Sequence, residues 1–165
     1  MSLNVRRARR GDGAAIAEVW LSAAAYYADL DPVHFQLPPA DGLAEEWDGL
    51  LGQDGEDSLR LVAEVDGRVA GWLSARIELP EEDAAVQLTR EHGWTRLAVD
   101  ALLVDRRCWR QGAGTALLDA AETWGRDRGA QVARLSTYAQ SPVSVPFYEQ
   151  RMGYRRRSII FQKDL

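Results

Sequence analysis

Residues 102–118 read LLVDRRCWRQGAGTALL, and this stretch constrains the fold more than any other. An apolar run suited to a strand ends at Val104, and a charged turn carrying Arg106, Arg107 and Arg110 follows. Gly112-Ala113-Gly114 then opens a segment in which Ala113, Ala116, Leu117, Ala120, Ala121 and Trp124 fall on one helical face, with Gly129 as its stop. A strand that passes through a glycine turn into a helix points to a sheet with that helix on one face. The helix start also exposes unpaired N–H groups at the positive end of the helix dipole, which suits it to hold a phosphate.

The rest of the chain supplies the other elements. Asn4–Arg9 alternates weakly and is expected as an edge strand; Gly11-Asp12-Gly13 offers an N-cap to a helix with Ile16, Val19, Trp20, Ala23 and Tyr27 at helical spacing. Pro32, Pro38 and Pro39 make residues 31–40 a loop, after which Asp41 can cap a short helix with Leu43, Trp47, Leu50 and Leu51 on one face. The runs LRLVAEV and RVAGWLSARIEL flank Asp66-Gly67, a strong signal for an antiparallel hairpin. Residues 80–93 are acidic and polar and read as a loop. A strand over Thr95–Val104, the glycine-started helix, a strand over Gln131–Tyr138, a short helix from Pro142 to Arg151 and a last strand from Tyr154 to Lys163 complete the order β-α-α-β-β-β-α-β-α-β. That order suggests a mixed sheet covered by helices.

A length of 165 residues fits one domain over 1–165, and 46% apolar residues with six tryptophans can build its core. No apolar stretch approaches the roughly 20 residues of a membrane span, and the opening MSLNVRRARRGDG has no apolar run of the kind a signal peptide carries. The single cysteine, Cys108, excludes an internal disulfide and forms no metal-ligand cluster with His34 or His92. A reducing cytoplasm is therefore the expected compartment, with no membrane and no metal. A formal charge of -5 disfavours nucleic acid as the partner and favours a cationic one.

Three phosphate-binding readings of the glycine turn compete. A P-loop needs Gly-Lys followed by Ser or Thr, and no lysine lies between Leu102 and Leu118. A dinucleotide fingerprint needs a third glycine where Leu117 stands, and a first glycine directly after the strand, whereas Gly112 lies eight residues beyond Val104. The third reading is a resemblance. LLVDRRCWRQGAGTALLDAAETWGRDRGA resembles the acetyl-CoA-binding segment of the GNAT superfamily of N-acetyltransferases, where a strand leads through a turn of the form (Gln/Arg)-x-x-Gly-x-(Gly/Ala) into a long helix. Phe147-Tyr148-Glu149 and Gly153-Tyr154 match the family's later segment, and VRRARRGDGAAIAEVW is similar to its first strand and helix. In this register Trp109 stands at the Gln/Arg position, Ser141 replaces the usual Asn after the following strand, and one extra residue separates Tyr148 from Gly153.

The resemblance implies an α/β (α+β) fold with a mixed, mostly antiparallel central sheet of about six to seven strands flanked by about four helices. It implies acetyl-CoA as co-substrate, its pyrophosphate on the main chain of Trp109, Arg110, Gln111, Gly112, Ala113, Gly114 and Thr115. The pantetheine arm is expected between the Thr95–Val104 and Gln131–Tyr138 strands, pairing with main chain at Leu102, Leu103 and Val104, with Ser141 and Phe147 as further contacts. Leu102 N–H is the candidate oxyanion donor, and Tyr148 the proton donor to the leaving thiolate. Asp100 shares strand parity with Leu102 and Val104 and is the candidate base, absent a bulge. The implied reaction is direct acetyl transfer to a primary amine of a small molecule, peptide or protein; a non-catalytic acyl-CoA-binding module is the alternative. Asp41, Glu45, Glu46, Glu81, Glu82 and Asp83 suit a cationic acceptor, His34 with Phe35 and His92 with Trp94 are candidates to line its pocket, and a sheet edge offers a route to a homodimer.

Overall fold

A computed structural model describes residues 1–53 and 55–165. Strands β1 (Leu3–Arg7), β2 (Ser58–Val65), β3 (Arg68–Glu78) and β4 (Arg96–Val104) pair antiparallel in sequence order, and β5 (Val132–Arg134) joins β4 in parallel. Asp66 and Gly67, both at positive φ, close the two-residue β2–β3 hairpin as their dipeptide predicts. Helices α1 (Gly13–Leu30) and α2 (Leu43–Leu50) cover one face, and α3 (Ala113–Asp127) the other. Leu117 and Leu118 of α3 pack on Leu61, Leu73 and Leu97 of the sheet, and Ile16 and Val19 of α1 pack on Val62 and Trp72. Among the described residues no helix is long and apolar enough to cross a membrane.

Three local expectations are corrected. The described sheet has five strands rather than six or seven, because residues 154–163 form none. Tyr154 N–H donates to Tyr148 O, but no later residue enters a backbone ladder, and Ile159, Ile160 and Phe161 stay exposed. The expected 142–151 helix is a short turn, α4 (Ser144–Pro146), running into a π-helical turn over Phe147–Arg151 that Met152 N–H closes on Phe147 O. Asp12 stands at the α1 N-cap, yet its carboxylate accepts from Arg9 N–H and from both terminal nitrogens of Arg6 at 2.8–2.9 Å. The donors at the start of α1 go instead to Asp48, just past the middle of α2, which accepts from Gly11 and Gly13 N–H at 3.0 and 2.8 Å. Gly13 makes that approach feasible: a Cβ there would stand 2.3 Å from the Ala44 carbonyl oxygen.

The edge of the sheet next to β5 is clamped at one end only. Register runs Arg96↔Val132, Leu97↔Ala133 and Ala98↔Arg134 and then stops. Glu78, at the end of β3, meets Arg76, Arg96 and Arg134 at 2.8, 3.3 and 2.5 Å, so its carboxylate links three strands. The buried Arg96 also reaches Glu81 and the Glu91 carbonyl. Burial pushes the Glu78 carboxyl up, but Arg134, Arg76 and Arg96 outweigh it and hold the group below its ordinary 4.5. A carboxylate with a depressed folded value stabilises the protein above its unfolded pKa and loses that contribution as pH falls through the folded one. Glu78→Gln is therefore expected to cost about 3 kcal/mol at pH 7, and the gap from the parent protein should close below pH 4.5, as urea unfolding across pH would show.

Candidate functional site

Register slips in β4 where the sequence gives no sign of it. Ser74 pairs with Ala101 and Ala75 with Val99, so Asp100 is the extra residue of a bulge. Leu97 and Val99 point to the α3 side before it, Leu102 and Val104 do so after it, and Ala101 and Leu103 turn to the α1 side. The expected parity of Asp100 with Leu102 and Val104 is thus broken. Asp100 does reach the site, but as a partly exposed carboxylate ion-paired with Arg76.

Past Ala98↔Arg134 the two chains part, and a cavity of about 460 Å³ opens between Val99–Leu103 and Leu135–Tyr138. Trp20 and Tyr27 from α1, Phe35 and Pro38 from the loop after it, and Ser144 and Tyr148 from the α4 region complete its wall. Tyr148 packs between Phe147 and Tyr154, with ring centroids at 5.2 and 5.9 Å. Burial, with a smaller contribution from Tyr27, raises the Tyr148 phenol above its ordinary value, so it carries its proton at neutral pH. Leu102 and Leu103 line the cavity; the Val104 carbonyl is engaged by the Trp109 indole N–H at 2.8 Å.

The turn into α3 answers why a tryptophan tolerates a position expected to be charged. Trp109 is a strut: besides that hydrogen bond it meets Tyr26 edge-on at 4.9 Å. Arg107 is spent on the buried Asp105 at 2.5 Å, and Arg107 and Ser22, with burial opposing them, keep that carboxyl below its ordinary value. Arg106 lies over the Tyr26 ring at 5.9 Å. Arg110 is exposed at φ +62 and makes no ion pair among the described residues, which leaves it the free cation of the three. Gly112 caps α3 at φ +87, and the first helical bond runs from Ala116 N–H to Gly112 O. The N–H groups of Ala113, Gly114 and Thr115 are therefore left without helical acceptors. These main-chain donors, beside the exposed Arg110 and the half-buried Gln111, are arranged as an anion cradle requires.

Two expected contacts have structural occupations. Ser141 is buried and does not line the cavity; its Oγ accepts from Ser144 N–H and so starts α4. Phe147 backs the cradle, its ring 3.4 Å from where a Gly114 Cβ would sit. Neither histidine candidate lines the cavity: His34 stacks on Tyr138 at 5.6 Å beside Phe35, which does line it, and His92 is 2.8 Å from Glu81. That Phe35 joins Tyr27 and Tyr138 is not visible in the chain, because the three come from separate segments. Gly112→Ala is expected to cost about 1–2 kcal/mol of stability, since only glycine adopts that φ freely. Gly114→Ala, whose Cβ would make ordinary contact, should cost less; urea midpoints of the two variants check the order.

The family model for the Acetyltransferase (GNAT) family matches residues 20–154. No curated protein matches the chain. Among solved structures, a transcriptional regulator from Bacillus halodurans C-125 is similar at 21% identity and a TM-score of 0.70, over 99% of this chain and 100% of that one. An aminoglycoside N-acetyltransferase in complex with CoA is similar at 16% identity and a TM-score of 0.65, over 99% and 96%. An aminoglycoside acetyltransferase from an uncultured soil metagenomic sample, in complex with sisomicin, is similar at 18% identity and a TM-score of 0.64, also over 99% and 96%. At these identities the likeness establishes the fold.

Proposed function

The chain belongs to the GNAT acetyltransferase family, and from that premise we propose that it moves the acetyl group of acetyl-CoA to a primary amine by direct attack in a ternary complex. The observation that carries this reading is the parting of β4 from residues 135–138, with a helix-start anion cradle at one end and Tyr148 inside. The whole chain, residues 1–165, is taken to act as one domain in the cytoplasm.

When bound, acetyl-CoA supplies an acyl group activated as a thioester. The chain's own residues bind and orient it. Main-chain donors of Gly112–Thr115, assisted by Arg110 and with Trp109 and Gln111 shaping the turn, hold the pyrophosphate. On the β5 side the β4 edge at Leu102, Leu103 and Val104 has no strand opposite it among the described residues, so apart from the Val104 carbonyl held by Trp109 it can take amides that run alongside as a strand would. Leu102 N–H is assigned to the carbonyl oxygen that gains charge. Phe147 packs behind the cradle, and Ser141 contributes by fixing the start of α4 rather than by contact.

Tyr148 is assigned to the departing sulfur. Its raised value keeps the hydroxyl protonated but makes full transfer to a thiolate uphill, because a free thiol titrates near 8.5. Its part is to donate a hydrogen bond as charge leaves and to pass on the proton that the attacking amine releases. Asp100, at the cavity wall and paired with Arg76, meets the incoming ammonium rather than acting as a free base. Tyr148→Phe is expected to lower kcat by about 100-fold while the rise in melting temperature with acetyl-CoA is retained. Free-thiol release with an amine reads the first and thermal unfolding the second; unchanged kcat would remove Tyr148 from the reaction. A melting shift without thiol release from any amine would leave an acyl-CoA-binding module.

A further inference from the structure

We infer that the acceptor is a monoamine on a flat apolar body, of the arylalkylamine class, and not a polycation; this rests on the acetyltransferase reading above. The cavity wall away from β4 is built of Trp20, Tyr27, Phe35, Pro38 and Tyr138. Their rings hold one another in place: Phe35 lies 4.9 Å from Tyr27 and meets Tyr138 edge-on at 5.0 Å. Asp31 anchors the loop by accepting from the Tyr138 hydroxyl at 2.5 Å and from the N–H groups of Val33 and His34. The result is a slot formed in advance, in which a planar ligand gains offset and edge contacts at little ordering cost.

Charge narrows the class further. Asp100 is the one carboxylate among the described residues lining the cavity, and Arg76 already pairs with it. The acidic loop residues Asp41, Glu45, Glu46, Glu81, Glu82 and Asp83, which suggested a cationic acceptor, do not line it. Within the cavity a ligand with several ammonium groups would find Asp100 alone as a carboxylate, and each ammonium held against rings without a counter-charge costs more than an aromatic face returns. A single amine avoids that cost. Apolar surroundings also lower an ammonium pKa, so the slot favours the neutral nucleophile without a dedicated base.

The test separates binding from transfer. Calorimetry on the CoA-loaded full chain measures the affinities of phenethylamine, tryptamine, spermidine and kanamycin, and thiol release with acetyl-CoA follows transfer to each. Phenethylamine and tryptamine are expected to bind at least about tenfold tighter than either polycation. Phe35→Ala should lose about that factor and Phe35→Leu less, with both variants keeping the acetyl-CoA melting shift that reports an intact fold. Tighter binding of spermidine or kanamycin, equally weak binding of all four, or no loss in Phe35→Ala would overturn the inference. Arylalkylamine binding without thiol release would instead contradict the transferase reading and leave the ligand class standing.

Discussion

Two segments that begin as parallel neighbours and then part open the cavity around which the rest of the structure is arranged. β4 and β5 share three register pairs and separate after Ala98↔Arg134. Each end of that divergence has a physical cause. At the closed end, the Glu78 carboxylate gathers Arg76, Arg96 and Arg134 from three strands, so β5 cannot drift from the sheet. At the open end, the extra residue Asp100 kinks β4 and reverses which side chains face α3, while residues 135–138 run toward the loop after α1. A β-strand edge deprived of its neighbour still has hydrogen-bonding groups to satisfy, and an extended amide-bearing ligand is suited to satisfy them.

The turn after β4 divides its work between side chains and main chain. Asp105 is buried and binds Arg107 and Ser22, and Trp109 ties Val104 to Tyr26. With those residues committed to holding the turn, the donors left for an anion are the N–H groups at the start of α3 and Arg110. Because a helix start needs correct placement rather than a particular side chain, replacing a charged residue by Trp109 alters the scaffold of the cradle without removing its donors.

Much of this architecture was legible in the chain. The Asp66-Gly67 hairpin, the apolar stripe of α3 and the strand-turn-helix at 102–118 each rest on local patterns that the structure reproduces. What was hidden is non-local. The run VDALLV reads as one uninterrupted strand, because Leu102 and Val104 are as apolar as Leu97 and Val99, and the bulge shows only once β3 is set beside it. Ser141 resembles a ligand contact until the Ser144 N–H it caps is in view. Likewise the acidic loops look like an acceptor site in one dimension, whereas the cavity is walled by rings drawn from α1, the following loop and Tyr138. Residues 154–163 were expected as a last strand, yet no partner ladder forms there.

In the proposed function, acetyl-CoA lies along the open edge of β4 with its pyrophosphate at the start of α3. Amide hydrogen exchange of the protein with and without saturating acetyl-CoA addresses this residue by residue. Protection should rise at Leu102–Val104 and at Gly112–Thr115 and stay unchanged on β1 and β2. Binding that leaves those two segments unprotected would contradict it.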